Sequence, residues 1–133
     1  MTIVATCHCG DAKVSMPHAP ETAKSCNCSF CARTGAVWAY FSPDEVEIQA
    51  QGVRTYSASG GMNGHNFCGR CGMHVWGESP DWASVYDMDV KPKPGFEAGA
   101  MPTARIVGIN LRLVDDLDWS KIEVEMLDGR NNW

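Results

Sequence analysis

Cys26-Asn27-Cys28-Ser29-Phe30-Cys31 places three thiols within six residues. The other four cysteines of the 133-residue chain flank this stretch as two close pairs, Cys7-x-Cys9 upstream and Cys68-x-x-Cys71 downstream, which accounts for all seven. A chain that keeps its cysteines in tight clusters, and leaves none alone in the interior, is arranging metal ligands rather than filling a core. The spacings suit zinc. In a Cys-x-x-Cys turn flanked by glycines, as in Cys68-Gly69-Arg70-Cys71-Gly72, both sulfurs can sit about 2.3 Å from one Zn²⁺ while backbone N–H groups face the thiolates. That turn supplies half of a tetrahedral site, and Cys7 and Cys9, backed by Gly10, supply the other half of a closed structural one. The plain alternative is a cysteine-rich turn without metal.

The triplet is left with three thiols and no fourth cysteine. Three protein ligands plus an open position describe a catalytic zinc, whose free corner takes water or a substrate sulfur. A histidine could instead close the site, and His8, His65 and His74 all lie near cysteines in sequence, whereas His18 between Pro17 and Pro20 reads as a solvated loop residue. Two zinc ions per chain are expected. Arg33, two residues past Cys31, offers a cation to an acidic substrate, although an exposed arginine at the end of a strand is the commoner case. Trp38, Tyr40, Phe41 and Trp76 read as core, with pocket walls the second reading because the cysteines are near.

Bulk properties narrow the class. The length is that of one ordinary domain, so residues 1–133 are expected to form a single one, and 44% apolar with 20% charged residues is globular usage. The longest apolar run, Ala36 to Phe41, is far short of the roughly 20 residues of a membrane span. Met1 to Ala5 shows no basic region leading into an apolar stretch, so a cytoplasmic, reducing location is expected, in which the thiols hold metal rather than pair as disulfides. A formal charge of −5, with Lys91-Pro92-Lys93 the densest basic group, argues against nucleic acid as a partner.

The remaining pattern is β. Residues 2–5 and the alternating Ala12, Val14, Met16 make two strands around the first thiol turn, and Pro17 and Pro20 end the second. Glu21 to Ser25 is a polar connection into the triplet, with no helical period. Ala36 to Phe41 is apolar on both faces, as a covered central strand would be. Short strands are expected around Val46 to Ile48 and Val53 to Ser57, and the Gly-rich loop 59–64 delivers a hairpin tipped by Cys68 and Cys71 that returns through Met73 to Trp76. Ala83 to Val90 alternates as a strand, Lys91 to Pro102 is a surface loop, and Val107, Ile109, Leu111 and Leu113 mark a half-buried strand. A helical turn within Asp115 to Ser120 precedes a final strand with Ile122, Val124 and Met126 on one face.

Taken together, Cys7-x-Cys9-Gly10, Cys26-x-Cys28-Ser29-x-Cys31, Gly35-Ala36 and Phe67-Cys68-x-x-Cys71-Gly72 resemble the glutathione-dependent formaldehyde-activating enzyme family, which includes centromere protein V. The likeness covers roughly residues 3–76. It implies an antiparallel β-tent around two zinc sites, with Cys7, Cys9, Cys68 and Cys71 as structural ligands and Cys26, Cys28 and Cys31 as ligands of the catalytic zinc. It also implies addition of a thiol, glutathione in the founding case, to formaldehyde, which is carbon-sulfur lyase chemistry. Asn27 stands where the family commonly has histidine. Two functional readings follow: an enzyme acting on thiol-aldehyde adducts, or a zinc-stabilised binding module without catalysis. An exchangeable fourth position at the triplet separates them.

Overall fold

The computed structural model describes residues 2–132. Two sheets carry the fold. In the smaller, β1 (Ile3–Thr6) turns through Cys7 to Gly10 into β2 (Ala12–Met16), with Ile3 opposite Met16 and Thr6 opposite Lys13. β5 (Glu47–Ala50) pairs antiparallel with the other edge of β2. The period of two does its work here: Ala12, Val14 and Met16 turn inward while Lys13 faces solvent.

The larger sheet takes β3 (Thr22–Cys26), β4 (Trp38–Phe41), β6 (Val53–Tyr56), β7 (Gly64–Cys68), β8 (His74–Pro80), β9 (Arg105–Asn110) and β10 (Glu123–Leu127) in the spatial order β10-β3-β4-β9-β8-β7-β6. β4 lies inside the sheet, between β3 and β9, as its continuous apolar run requires. Every pair is antiparallel except β3 with β10, which run parallel from Thr22 opposite Glu123 to Cys26 opposite Leu127. The sheet is therefore mixed, not purely antiparallel. Most of the chain separates these two strands, which leaves room for the long crossover that a parallel pair needs.

The two sheets share one core. Val14 and Met16 from the small sheet join Val75, Val107, Ile109 and Leu111, and each of these six exposes 1% or less of its surface. Burying a side chain of this size contributes about 1.5–3 kcal/mol, so the inter-sheet layer is the main source of stability.

Five segments differ from the sequence pattern. Glu21 to Ser25 is mostly strand β3; its polar residues show no alternation, and pairing with β4 and β10 decides the conformation. Ser29–Thr34 forms a short helix, α1, capped at its start by the Cys28 side chain and at its end by Gly35 in the left-handed region, a span too brief to show a helical period. Ala83 to Val90 is not a strand: Trp82–Ser84 is a 3-10 turn, and the chain then loops back so that Tyr86 bridges Pro92. On β10, Met126 is 76% exposed, because this edge strand turns its expected core face to solvent. Strand β9 also ends at Asn110, and Leu111–Leu113 continues as a 3-10 turn that still buries Leu111. A second short helix, α2 (Gly129–Asn132), follows β10. Among the described residues no helix is long and apolar enough to cross a membrane.

Candidate metal centres

The turn between β1 and β2 and the turn between β7 and β8 come from different sheets and meet at their tips. There the sulfurs of Cys7, Cys9, Cys68 and Cys71 all lie within 4.8 Å of one another, and none is in a disulfide. Cys9 Sγ stands 3.7 Å from Cys7 Sγ and 3.5 Å from Cys68 Sγ. Backbone donors aim at the sulfurs: Ala12 N–H donates to Cys7 Sγ at 3.3 Å and Cys71 N–H to Cys68 Sγ at 3.5 Å. The N–H groups of Met73 and Cys9 hold the Cys71 thiol down to about 6, and those of Cys71 and Arg70 hold Cys68 below the ordinary thiol range. Two glycines make the second turn possible. Gly72 has φ +80°, and a Cβ on Gly69 would fall 2.4 Å from the Gly52 carbonyl oxygen that its own N–H bonds at 3.0 Å. Four convergent sulfurs with no other donor type form a soft, closed set that fits a tetrahedral metal ion.

The second cluster is built on β3 and α1. Cys26 ends the strand, Cys28 caps the helix, Cys31 lies within it, and their three sulfurs also fall within 4.8 Å of one another. Cys28 N–H donates to Cys26 Sγ at 3.4 Å and Cys31 N–H to Cys28 Sγ at 3.3 Å. The indole N–H of Trp38, on the neighbouring β4, donates to Cys31 Sγ at 3.4 Å. Burial pushes Cys31 up to about 12 and Cys26 upward. Burial is the largest single effect on Cys28 and acts in the same sense, yet the N–H groups of Cys31 and Phe30 and the neighbouring Cys31 and Cys26 thiols together outweigh it and hold that thiol below its ordinary value. Three sulfurs this close cannot all be thiolates without a cation among them, so this donor set too could hold a metal ion.

Among the described residues no histidine nitrogen or carboxylate oxygen shares that 4.8 Å radius with the three sulfurs. His65 stacks on Phe30 with ring centroids 3.8 Å apart, and His74 meets the same ring edge-on at 5.2 Å. Burial lowers both histidines, with His74 adding to the effect on His65, so the pair stays neutral at pH 7. His8 and His18 are exposed. The triplet instead opens on a cavity of about 670 Å³, which Cys26, Cys28 and Cys31 line together with Trp38 and Tyr40. Tyr40, expected as core, is 41% exposed and faces this space, whereas Phe41 and Trp76 are buried.

Arg33 is exposed, donates to the Ser29 carbonyl oxygen at 2.9 Å, and is not in the lining. The cation of the cavity is Lys24, on β3, with its ammonium 5.8 Å from the Tyr40 ring centroid. Trp82 and Tyr86 form a further part of the wall, Tyr86 within the Ala83 to Val90 segment whose alternation signals a strand and Trp82 just before it. Asn27 faces away, its side-chain N–H donating to Asp128 at 2.9 Å and its oxygen accepting from the Arg130 N–H at 2.9 Å, so the chain after β10 braces the loop between Cys26 and Cys28.

The family model described as glutathione-dependent formaldehyde-activating enzyme matches residues 2–91. No curated protein matches the chain. Among solved structures, a crystal structure of a Rhodobacter sphaeroides protein superimposes with a TM-score of 0.62 at 19% identity, covering 92% of this chain and all of the other. At that identity the likeness speaks for the fold alone.

Proposed function

The chain belongs to the glutathione-dependent formaldehyde-activating enzyme family, and from that premise we propose that it is a zinc-dependent carbon-sulfur lyase-type enzyme that joins a thiol to an aldehyde and splits the adduct. On this reading residues 1–133 form one cytoplasmic domain, a β-tent around two zinc ions. Cys7, Cys9, Cys68 and Cys71 hold the structural ion, and Cys26, Cys28 and Cys31 hold the catalytic one. The observation that carries the reading is the triplet itself: three grouped sulfurs, no histidine, carboxylate or fourth cysteine grouped with them among the described residues, and an adjoining cavity of about 670 Å³.

The chemistry balances simply. A thiol RSH gives up its proton, its sulfur attacks the carbonyl carbon of R′CHO, and the C=O π pair moves to oxygen, which takes up a proton. The product is RS–CH(OH)R′, and the reverse reaction breaks the same C–S bond. When bound, zinc supplies the Lewis acidity that keeps a substrate thiol deprotonated near neutral pH. The protein's own part is positional. The Trp38 indole and the N–H groups of Cys28 and Cys31 fix the three sulfurs beside the cavity, so that a bound thiol and its aldehyde would meet in one place. Neutral His65 and His74 neither repel the ion nor compete with it as charged groups.

The test is exchange spectroscopy of formaldehyde with 2-mercaptoethanol or glutathione, with and without the zinc-loaded protein. Faster exchange that disappears in Cys28→Ser is the expected result. Exchange at the uncatalysed rate with both thiols would remove the enzyme reading and leave the binding module.

A further inference from the structure

The walls of the cavity bear on which thiol it takes. Trp38, Trp82 and Tyr86 have their polar atoms committed inside the protein: the Trp38 indole N–H to Cys31 Sγ, the Trp82 indole N–H to Asn63 Oδ1 at 3.1 Å, and the Tyr86 hydroxyl to the Ala100 carbonyl at 2.8 Å. These side chains therefore have only ring faces and edges left to offer. Phe30 lines the same space, stacked on His65. Ring faces recognise planar apolar groups, and a cavity of about 670 Å³ lies within the range usual for small-molecule sites.

Charge points the same way. Lys24 is the one lysine or arginine in the lining, against two carboxylates, Glu78 and Asp87. Glutathione carries two carboxylates and one ammonium. One of its carboxylates at most could pair with Lys24, and the other would face an acidic rim with no cation to receive it. Arg33, turned to the Ser29 carbonyl, does not make up the deficit.

We propose that the cavity over the triplet selects an uncharged aromatic thiol, and the aldehyde adduct of such a thiol, in preference to glutathione. This rests on reading the triplet as a thiol-accepting site. The experiment is a tryptophan-fluorescence titration of the zinc-loaded protein, exploiting Trp38 and Trp82 in the wall, with benzyl mercaptan, benzyl alcohol and glutathione. Benzyl mercaptan should bind at least about tenfold more tightly than glutathione, since ring stacking and the absence of a buried unpaired carboxylate both favour it. Trp82→Ala should weaken benzyl mercaptan about fivefold. Glu78→Lys, at an exposed position with little bearing on folding, should tighten glutathione about threefold or more and leave benzyl mercaptan within about twofold.

Glutathione binding as tightly as benzyl mercaptan would overturn the inference while leaving a thiol-accepting triplet intact. Should benzyl mercaptan bind no better than benzyl alcohol, the thiol-accepting role fails. The aromatic selection is then judged by the sulfur-free ligand: it stands if benzyl alcohol outbinds glutathione by the same margin and falls otherwise.

Discussion

Asn110 is a buried polar residue with both ends of its amide used: it donates to the His74 carbonyl at 3.0 Å and accepts from the Arg112 N–H at 3.1 Å. It thereby ties the end of β9 to the start of β8, beside the Cys71 turn. Asn110→Ala should cost about 1–2 kcal/mol, because two part-buried backbone groups lose their partner, and a lower midpoint in urea at an unchanged slope would show it. Arg33→Ala should change benzyl mercaptan or glutathione binding by less than about twofold, the guanidinium being spent on the Ser29 carbonyl outside the cavity. A larger loss would return Arg33 to the site. At this scale the cysteines were readable from spacing alone, since few other roles require seven thiols in three tight groups. Lys24, Trp82 and Tyr86 were not readable: each depends on strand pairing or on a loop path that brings residues distant in sequence to one cavity wall.

Hairpins were the legible elements, because β2 with its period of two and the glycine-flanked turn before Cys71 both carry strong local signals. The parallel joining of β10 to β3 carries none, and neither does α1, whose six residues complete fewer than two turns. The segment from Ala83 to Val90 misled by alternation alone; a loop held by Tyr86 can show the same period without a neighbouring strand to pair with. The two thiol clusters also differ as elements. One spans the tips of hairpins from both sheets, whereas the other sits within a single strand-helix unit, so their loss should not be equivalent. In zinc-loaded protein, Cys68→Ser should lower the melting temperature by well over about 10 °C or prevent folding, because a structural ion contributes its binding energy to folding. Cys28→Ser should stay folded and melt within a few degrees of the parent. Circular dichroism melts compare the two directly, and equal losses would mean that both ions are structural.

The whole molecule joins two sheets over one core, clamps their hairpin tips with four thiols, and leaves three further thiols on the wall of a cavity that Phe30, Trp38, Tyr40, Trp82 and Tyr86 also line. Elemental analysis of protein purified without added metal should therefore find about two zinc ions per chain, one from each donor set. A ratio near one would leave the triplet empty, and iron in place of zinc would change the chemistry altogether. The account stands on the claim that the triplet offers a metal an open position that a substrate sulfur can take. Replacing zinc by cobalt makes that position visible, because the visible absorption of a thiolate-bound cobalt ion responds to its fourth ligand. Titration of the cobalt protein with benzyl mercaptan should shift these bands to saturation, and Cys28→Ser should abolish the shift while the four-thiol site keeps its own spectrum. A spectrum unmoved by saturating benzyl mercaptan, glutathione and 2-mercaptoethanol alike would contradict the account.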